Sequence, residues 1–143
     1  MPAALITALV CSVILLVIAA YFLMGSLPLL VLKHDTPLDA RFVAGFFDVY
    51  LVATAVAAAA TAASYGLAGQ PRLAWGAAVL ALLAAGLRRV LIGRLAALAK
   101  RIRAQDAAAI LAFRRLHLGV IVFNLAQLAV MVWSLIQLSM ALR

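Results

Sequence analysis

Few residues of this chain can do chemistry, and they sit in apolar company. Asp48 lies inside AGFFDVYLVATAV, residues 44–56, with no other charge in the run. His117, Asn124 and Gln127 lie in FRRLHLGVIVFNLAQ, residues 113–127. His117 and Asn124 are seven residues apart, so a helix places them on one face about 10 Å apart in depth, with Gln127 flanking. Arg88 and Arg89 interrupt another apolar run. An ionised Asp deep in a membrane helix costs about 2.5–3.5 kcal/mol, so a partner is expected. The candidates at its depth are Arg88, Arg89 and His117. Asp48 then reads in three ways: an ion pair fixing helix packing, a proton- or ion-coupled site, or a protonated carboxyl that is merely tolerated. His117, Asn124 and Gln127 read as interhelical hydrogen bonding, as a strip facing a ligand, or, for His117, as a haem ligand. The only other histidine, His34, falls between the first two apolar runs, so a bis-His site requires that loop to fold inward.

Other chemistries lack their residues. There is no HExxH, no CxxC, no Gly-rich phosphate loop and no nucleophile–His–acid spacing. The single cysteine, Cys11, removes disulfide scaffolds and cysteine-ligated metals. Classical hydrolysis is not expected from so few polar groups, while a cofactor enzyme stays open, because the cofactor could bring the chemistry.

The elements that position these residues follow from composition. Of 143 residues, 69% are hydrophobic and 11% charged, with net charge +8; mean hydropathy is +1.22. A soluble chain is about half apolar and about a quarter charged, so lipid must solvate most of this one. The positive charge does not imply nucleic acid, because the basic residues flank apolar spans, as membrane topology alone produces.

A span needs about 20 apolar residues, and the sequence predicts four spans in a single four-helix transmembrane domain. The first runs over 4–32, with a kink or break near Gly25–Pro28 where Pro28 cannot bond the carbonyl of Met24. It lacks the basic leader of a secretory signal and reads as a retained span. The second covers 37–66, opened by Thr36, Pro37 and Asp39 in a capping box with Asp for Glu. The third covers 73–103. Its apolar stretch ends at Leu87, but Leu91, Leu95, Leu98 and Ile102 keep one face apolar while Arg89, Lys100 and Arg103 face away. The fourth covers 106–142, with Asp106 as N-cap.

The expected fold is all-α: an antiparallel bundle of four transmembrane helices, with helices 3 and 4 extended as a basic cytoplasmic hairpin. Ten cations lie at that end, counting Lys33 and Arg41, against Arg72 and Arg143 at the other. The positive-inside rule makes the basic end cytoplasmic and puts both termini outside, in a bacterial inner membrane. Tyr65, Trp75 and Trp133 then form an outer aromatic belt. Arg94, Lys100, Arg101, Arg103, Arg114 and Arg115 are expected to contact anionic lipid. On the second helix, Asp48 shares a stripe with Ala44, Gly45, Val52, Ala55, Ala59, Ala62 and Gly66, while Phe46, Val49 and Val56 point to lipid; Asp48 is therefore expected to face the bundle interior. Tyr50, Thr54, Thr61 and Tyr65 make a milder stripe, read as packing.

Gly25 and Pro28 at the end of the first span, FVAGFFDVY opening the second and FRRLHLGVIVFNLAQL opening the last together resemble small bacterial four-helix integral membrane proteins of unknown function. These are similar to a eukaryotic four-helix membrane protein associated with platinum-drug tolerance. Leu116, His117 and Asn124 match that family's Leu-His and Asn spacing. Phe47-Asp48-Val49-Tyr50 matches its aromatic–x–x–Tyr element, although Pro is commoner there at the place of Asp48. The resemblance implies the four-helix fold and membrane location. The leading functional expectation is binding or passage of a small solute or ion along a polar track in the cytoplasmic half, using Asp48, His117, Asn124 and Arg88. The alternatives are a non-catalytic subunit or scaffold packed against a partner protein or a second copy, and a haem- or quinone-binding redox subunit.

Overall fold

The computed structural model describes residues 3–31, 33 and 36–141. His34, the second histidine considered for haem, lies outside them, as do Leu32, Leu142 and Arg143. Four helices follow in order: α1 (Ala3–Leu30), α2 (Pro37–Leu67), α3 (Pro71–Arg103) and α4 (Ala107–Ala141). All four are long and apolar enough to cross a membrane.

Each helix packs on the next, and α4 returns to α1. Ser12 meets Tyr65 and Phe22 meets Tyr50, so α1 and α2 run in opposite directions. His117 meets Ser26 and Asn124 meets Ala19, so α4 opposes α1. The α2–α3 seam is the most extensive and the α3–α4 seam the least. Outward faces are apolar on every helix: Val17 and Met24, Val49 and Val56, Leu82 and Leu83, Val122 and Val130 are all exposed. The centre is filled by Phe22, Phe47, Leu51, Leu95, Ile102 and Phe113.

The break expected near Gly25–Pro28 does not occur; α1 runs through Pro28 to Leu30. Proline this close to a C-terminus deletes one helical bond near an end that is already losing them, and Val31 N–H closes the last turn on the Pro28 carbonyl at 3.1 Å. Gly25 has a different task. A Cβ there would lie 2.6 Å from Phe46 Cζ. Its absence lets the Phe46 ring stack on Phe22, with centroids 5.2 Å apart.

The turns are built by their sequences. Thr36 Oγ1 accepts from Asp39 N–H at 3.2 Å and Pro37 opens α2. Proline also opens α3, two residues earlier than expected, because Pro71 suits the first helical position. Between α2 and α3, Gly69 (φ 69°) takes the left-handed position, with Gly69 N–H to Gly66 O and Gln70 N–H to Tyr65 O closing the helix end. The α3–α4 turn repeats this geometry with Gln105 (φ 59°): Gln105 N–H bonds Ile102 O and Asp106 N–H bonds Arg101 O. A side chain there carries strain that glycine lacks. Gln105→Gly is expected to stabilise the fold by about 1 kcal/mol, read as a higher detergent-phase melting temperature; an unchanged or lower value refutes the strain.

Asp106 then opens α4. Its Oδ1 accepts from Ala108 N–H at 2.9 Å and Ala109 N–H at 3.3 Å. Its Oδ2 takes both Nε and Nη2 of Arg101, at 2.8 and 2.6 Å. The Arg101 guanidinium first, and the two backbone donors after it, hold the Asp106 carboxyl below the usual carboxylate range. A depressed folded-state value stabilises above the unfolded value of about 3.9 and is lost as pH falls through the folded one. Melting of the native chain is therefore expected to drop more steeply below about pH 4 than that of Asp106→Asn; parallel curves refute the linkage.

Candidate functional site

The large residues Phe47, Tyr50 and Leu51 fill the middle of the bundle, and this decides where the polar groups of α2 go. Tyr50, Thr54, Thr61 and Tyr65 are buried. Tyr50 donates its hydroxyl proton to Gln127 Oε1 at 2.8 Å. Asn124 Nδ2 donates to Tyr50 Oη at 2.9 Å and to the backbone carbonyl of Ala19 at 3.1 Å. A carbonyl accepts only, so the amide orientation of Asn124 is fixed by its partner. One turn pair toward the basic end, His117 Nε2 lies 3.1 Å from the carbonyl of Ser26, so that nitrogen carries the proton and donates it. The His117 ring stands edge-on to Phe47, with centroids 5.0 Å apart. His117 and Asn124 are 0% exposed and Gln127 is 6% exposed. The track thus ties α4 to the backbone of α1 and to Tyr50 of α2. Among the described residues, Gln127 Nε2 finds the Met131 thioether, at 3.7 Å, and Asn124 Oδ1 is buried with no hydrogen-bond partner.

Asp48 does not join this track. Its carboxylate meets Arg88 across the α2–α3 seam, Nε to Oδ1 at 2.7 Å and Nη2 to Oδ2 at 3.3 Å. The side chains of Arg88 and Asp48 remain 45% and 36% exposed. Asp48 therefore opens onto the outside of the bundle rather than its interior. The physical reason lies in the small-residue stripe: it marks where two helices approach most closely, and on α2 that is the seam with α3, whereas the four-helix centre needs the bulk of Phe47, Tyr50 and Leu51. Arg88 is the partner; Arg89 is exposed. Arg94, Lys100, Arg101, Arg103, Arg114 and Arg115 are exposed around the α3–α4 turn.

His117 Nε2 keeps its proton in the bond to the Ser26 carbonyl, so this nitrogen has no lone pair for haem iron. Among the described residues, no three of His, Cys, Asp and Glu come together as metal ligands.

Sequence reasoning missed a cleft of about 390 Å³ between α3 and α4, at the end carrying the termini. It runs along α3 from Arg72 to Leu83 and along α4 from Phe123 to Leu135, and Ser12, Thr61, Tyr65 and Gln127 give it polar groups. Exposed Val79, Leu83 and Val130 lie at its rim, so it opens sideways. Ser12 Oγ donates to Ala8 O at 2.8 Å, so the Tyr65 hydroxyl donates to Ser12 at 3.0 Å. Gln127 belongs to both the cleft and the buried track. The sequence signal for the cleft is the small residues on its two walls, Gly76 and Ala77 on α3 and Ala126 on α4, which leave the seam unfilled.

Comparison with family models, curated proteins and solved structures finds no significant match to this chain.

Proposed function

We propose that this protein is a membrane-embedded binding protein, which holds a small amphipathic molecule drawn from the bilayer in the cleft between α3 and α4. The observation that carries this reading is the cleft itself. Its 390 Å³ falls in the range of ligand sites, its walls are apolar, and a few polar groups converge on it. The track of Tyr50, Asn124, Gln127 and His117 acts as its rigid support. Because His117 and Asn124 are fully enclosed, the reading is binding rather than passage. In the same proposal the four helices form an antiparallel transmembrane bundle in a bacterial inner membrane. The basic α3–α4 hairpin lies in the cytoplasm on anionic lipid, the termini lie outside, and the cleft faces the outer leaflet. The excess of Lys and Arg at one end supports that polarity.

Gly76 provides the test. A Cβ at this position meets nothing within 4 Å, so Gly76→Leu is expected to fill the cleft while leaving the fold intact. Native mass spectrometry of protein released from membranes is expected to show a retained small molecule on the wild type that is missing from Gly76→Leu. Identical spectra for the two proteins would remove the proposal. Alkaline phosphatase fused after residue 143 tests the polarity, which requires an active fusion.

A further inference from the structure

Arg72 stands at the mouth of the cleft and is exposed. Among the described residues it has no ion pair: Asp48 is taken by Arg88, Asp106 by Arg101, and Asp39 lies at the far end of α2. Arg72 also occupies the first turn of α3, the positive end of that helix, where a cation is disfavoured and an anion favoured. Gln70 before it makes no side-chain capping bond. Two sources of positive potential thus meet at one point, with no counter-charge beside them among the described residues.

The shape below that point is equally specific. From Arg72 to Leu83 the cleft runs eleven residues along α3, about 16 Å. That is close to half of the roughly 30 Å hydrocarbon core, the depth of one leaflet. The slot lies along the helix axes, parallel to lipid chains, with its cation at the outer end and Gln127 toward the inner one. A single hydrocarbon chain matches a slot of this length with a cation at one end, and a helix of a second copy seated there is an outcome of the test below.

We propose that the cleft takes a single-chain anionic amphiphile, with a carboxylate or phosphate monoester on the Arg72 guanidinium and its hydrocarbon chain along α3 and α4 down to Gln127. The guanidinium fork suits either head group. This rests on the cleft being a binding site, as proposed above, and adds the class of ligand.

The test uses the full chain in phosphatidylcholine nanodiscs and three photoreactive probes with a diazirine in the chain: palmitic acid, hexadecyl phosphate and the neutral hexadecanol. Both anionic probes are expected to label peptides 72–83 and 123–135 at least about tenfold more than hexadecanol, a ratio equal to about 1.4 kcal/mol. Arg72→Gln is expected to bring them down to the hexadecanol level, Arg72→Lys to restore them in part, and Gly76→Leu to remove labelling by all three. Preference for one head group identifies the source as a fatty acid or an alkyl phosphate. Labelling by hexadecanol as strong as by the acids, unaffected by Arg72→Gln, overturns the anionic assignment and leaves the cleft reading standing. Labelling that persists in Gly76→Leu, or absence of labelling by every probe, overturns both. So does a Gly76→Cys protein that cross-links to a second copy, since the slot would then be occupied by protein.

Discussion

Asn124→Asp is expected to cost about 3 kcal/mol or more, and Asn124→Leu only about 2, although aspartate is the closer match in shape. The reason is the direction of the hydrogen bonds. Asn124 donates from Nδ2 to Ala19 O and to Tyr50 Oη, inside the bundle and away from any cation among the described residues. Asp in its ionised form has no proton to give and would face a backbone carbonyl, so two acceptors would oppose each other in a medium that does not solvate charge. Protonation relieves the charge but supplies one donor where two bonds existed. Leucine gives up both bonds, at about 0.6 kcal/mol each, and adds about 1 kcal/mol of misfit. It also removes Asn124 Oδ1, an acceptor already without a partner. Tyr50→Phe is expected to cost about 1 kcal/mol, since it breaks the links to Gln127 and Asn124 and leaves the stacking on Phe22. Unfolding in mixed micelles by increasing SDS measures all three. An Asn124→Asp protein as stable as Asn124→Leu would mean that the donor role of Nδ2 does not hold the bundle together.

Asp48→Asn is expected to lose about 2 kcal/mol, and Asp48→Asn combined with Arg88→Met to recover most of it. The pair is bidentate and straddles the tightest seam, yet both side chains are partly open to the exterior. Asp48 is eleven residues into α2, about 16 Å from its start. In the proposed transmembrane bundle that depth puts acyl chain rather than water outside, so the pair would not be screened as a surface ion pair is. Removing the carboxylate leaves a guanidinium that must stretch toward the head groups or pull water inward. The long Arg88 side chain can do part of this, which keeps the cost below that of a fully enclosed pair. Removing both charges eliminates the problem. A loss under about 0.5 kcal/mol for the single variant would place the pair in the wet interfacial zone instead.

The helices and their ends were legible because their signals are local. Apolar length gives four spans, Thr36-Pro37 starts α2, and Asp106 caps α4 through its own side chain. Pro71 carries a helix-opening signal, but the unbroken apolar run begins only at Leu73, and apolar length alone therefore starts the helix two residues late. Asp48 shows where local reasoning stops. A stripe of small residues identifies a close approach but not which neighbour makes it, and two of the three other helices were candidates at equal depth. The same ambiguity made the Tyr50–Tyr65 stripe look like packing, when Tyr50 is the hub joining Gln127 to Asn124. The cleft was the least legible feature, because it is a space between α3 and α4 and exists only through the way all four helices are arranged.

The partners that α4 finds on α1 are main-chain carbonyls, at Ala19 and Ser26. No substitution can delete a main-chain carbonyl. What α1 must offer at these two places is only smallness, since both residues are completely covered. Divergence over time is therefore expected to be lopsided: glycine, alanine and serine exchange freely at 19 and 26, while 117 and 124 admit only side chains with an N–H to give. The lock between these two rods is written on one of them alone.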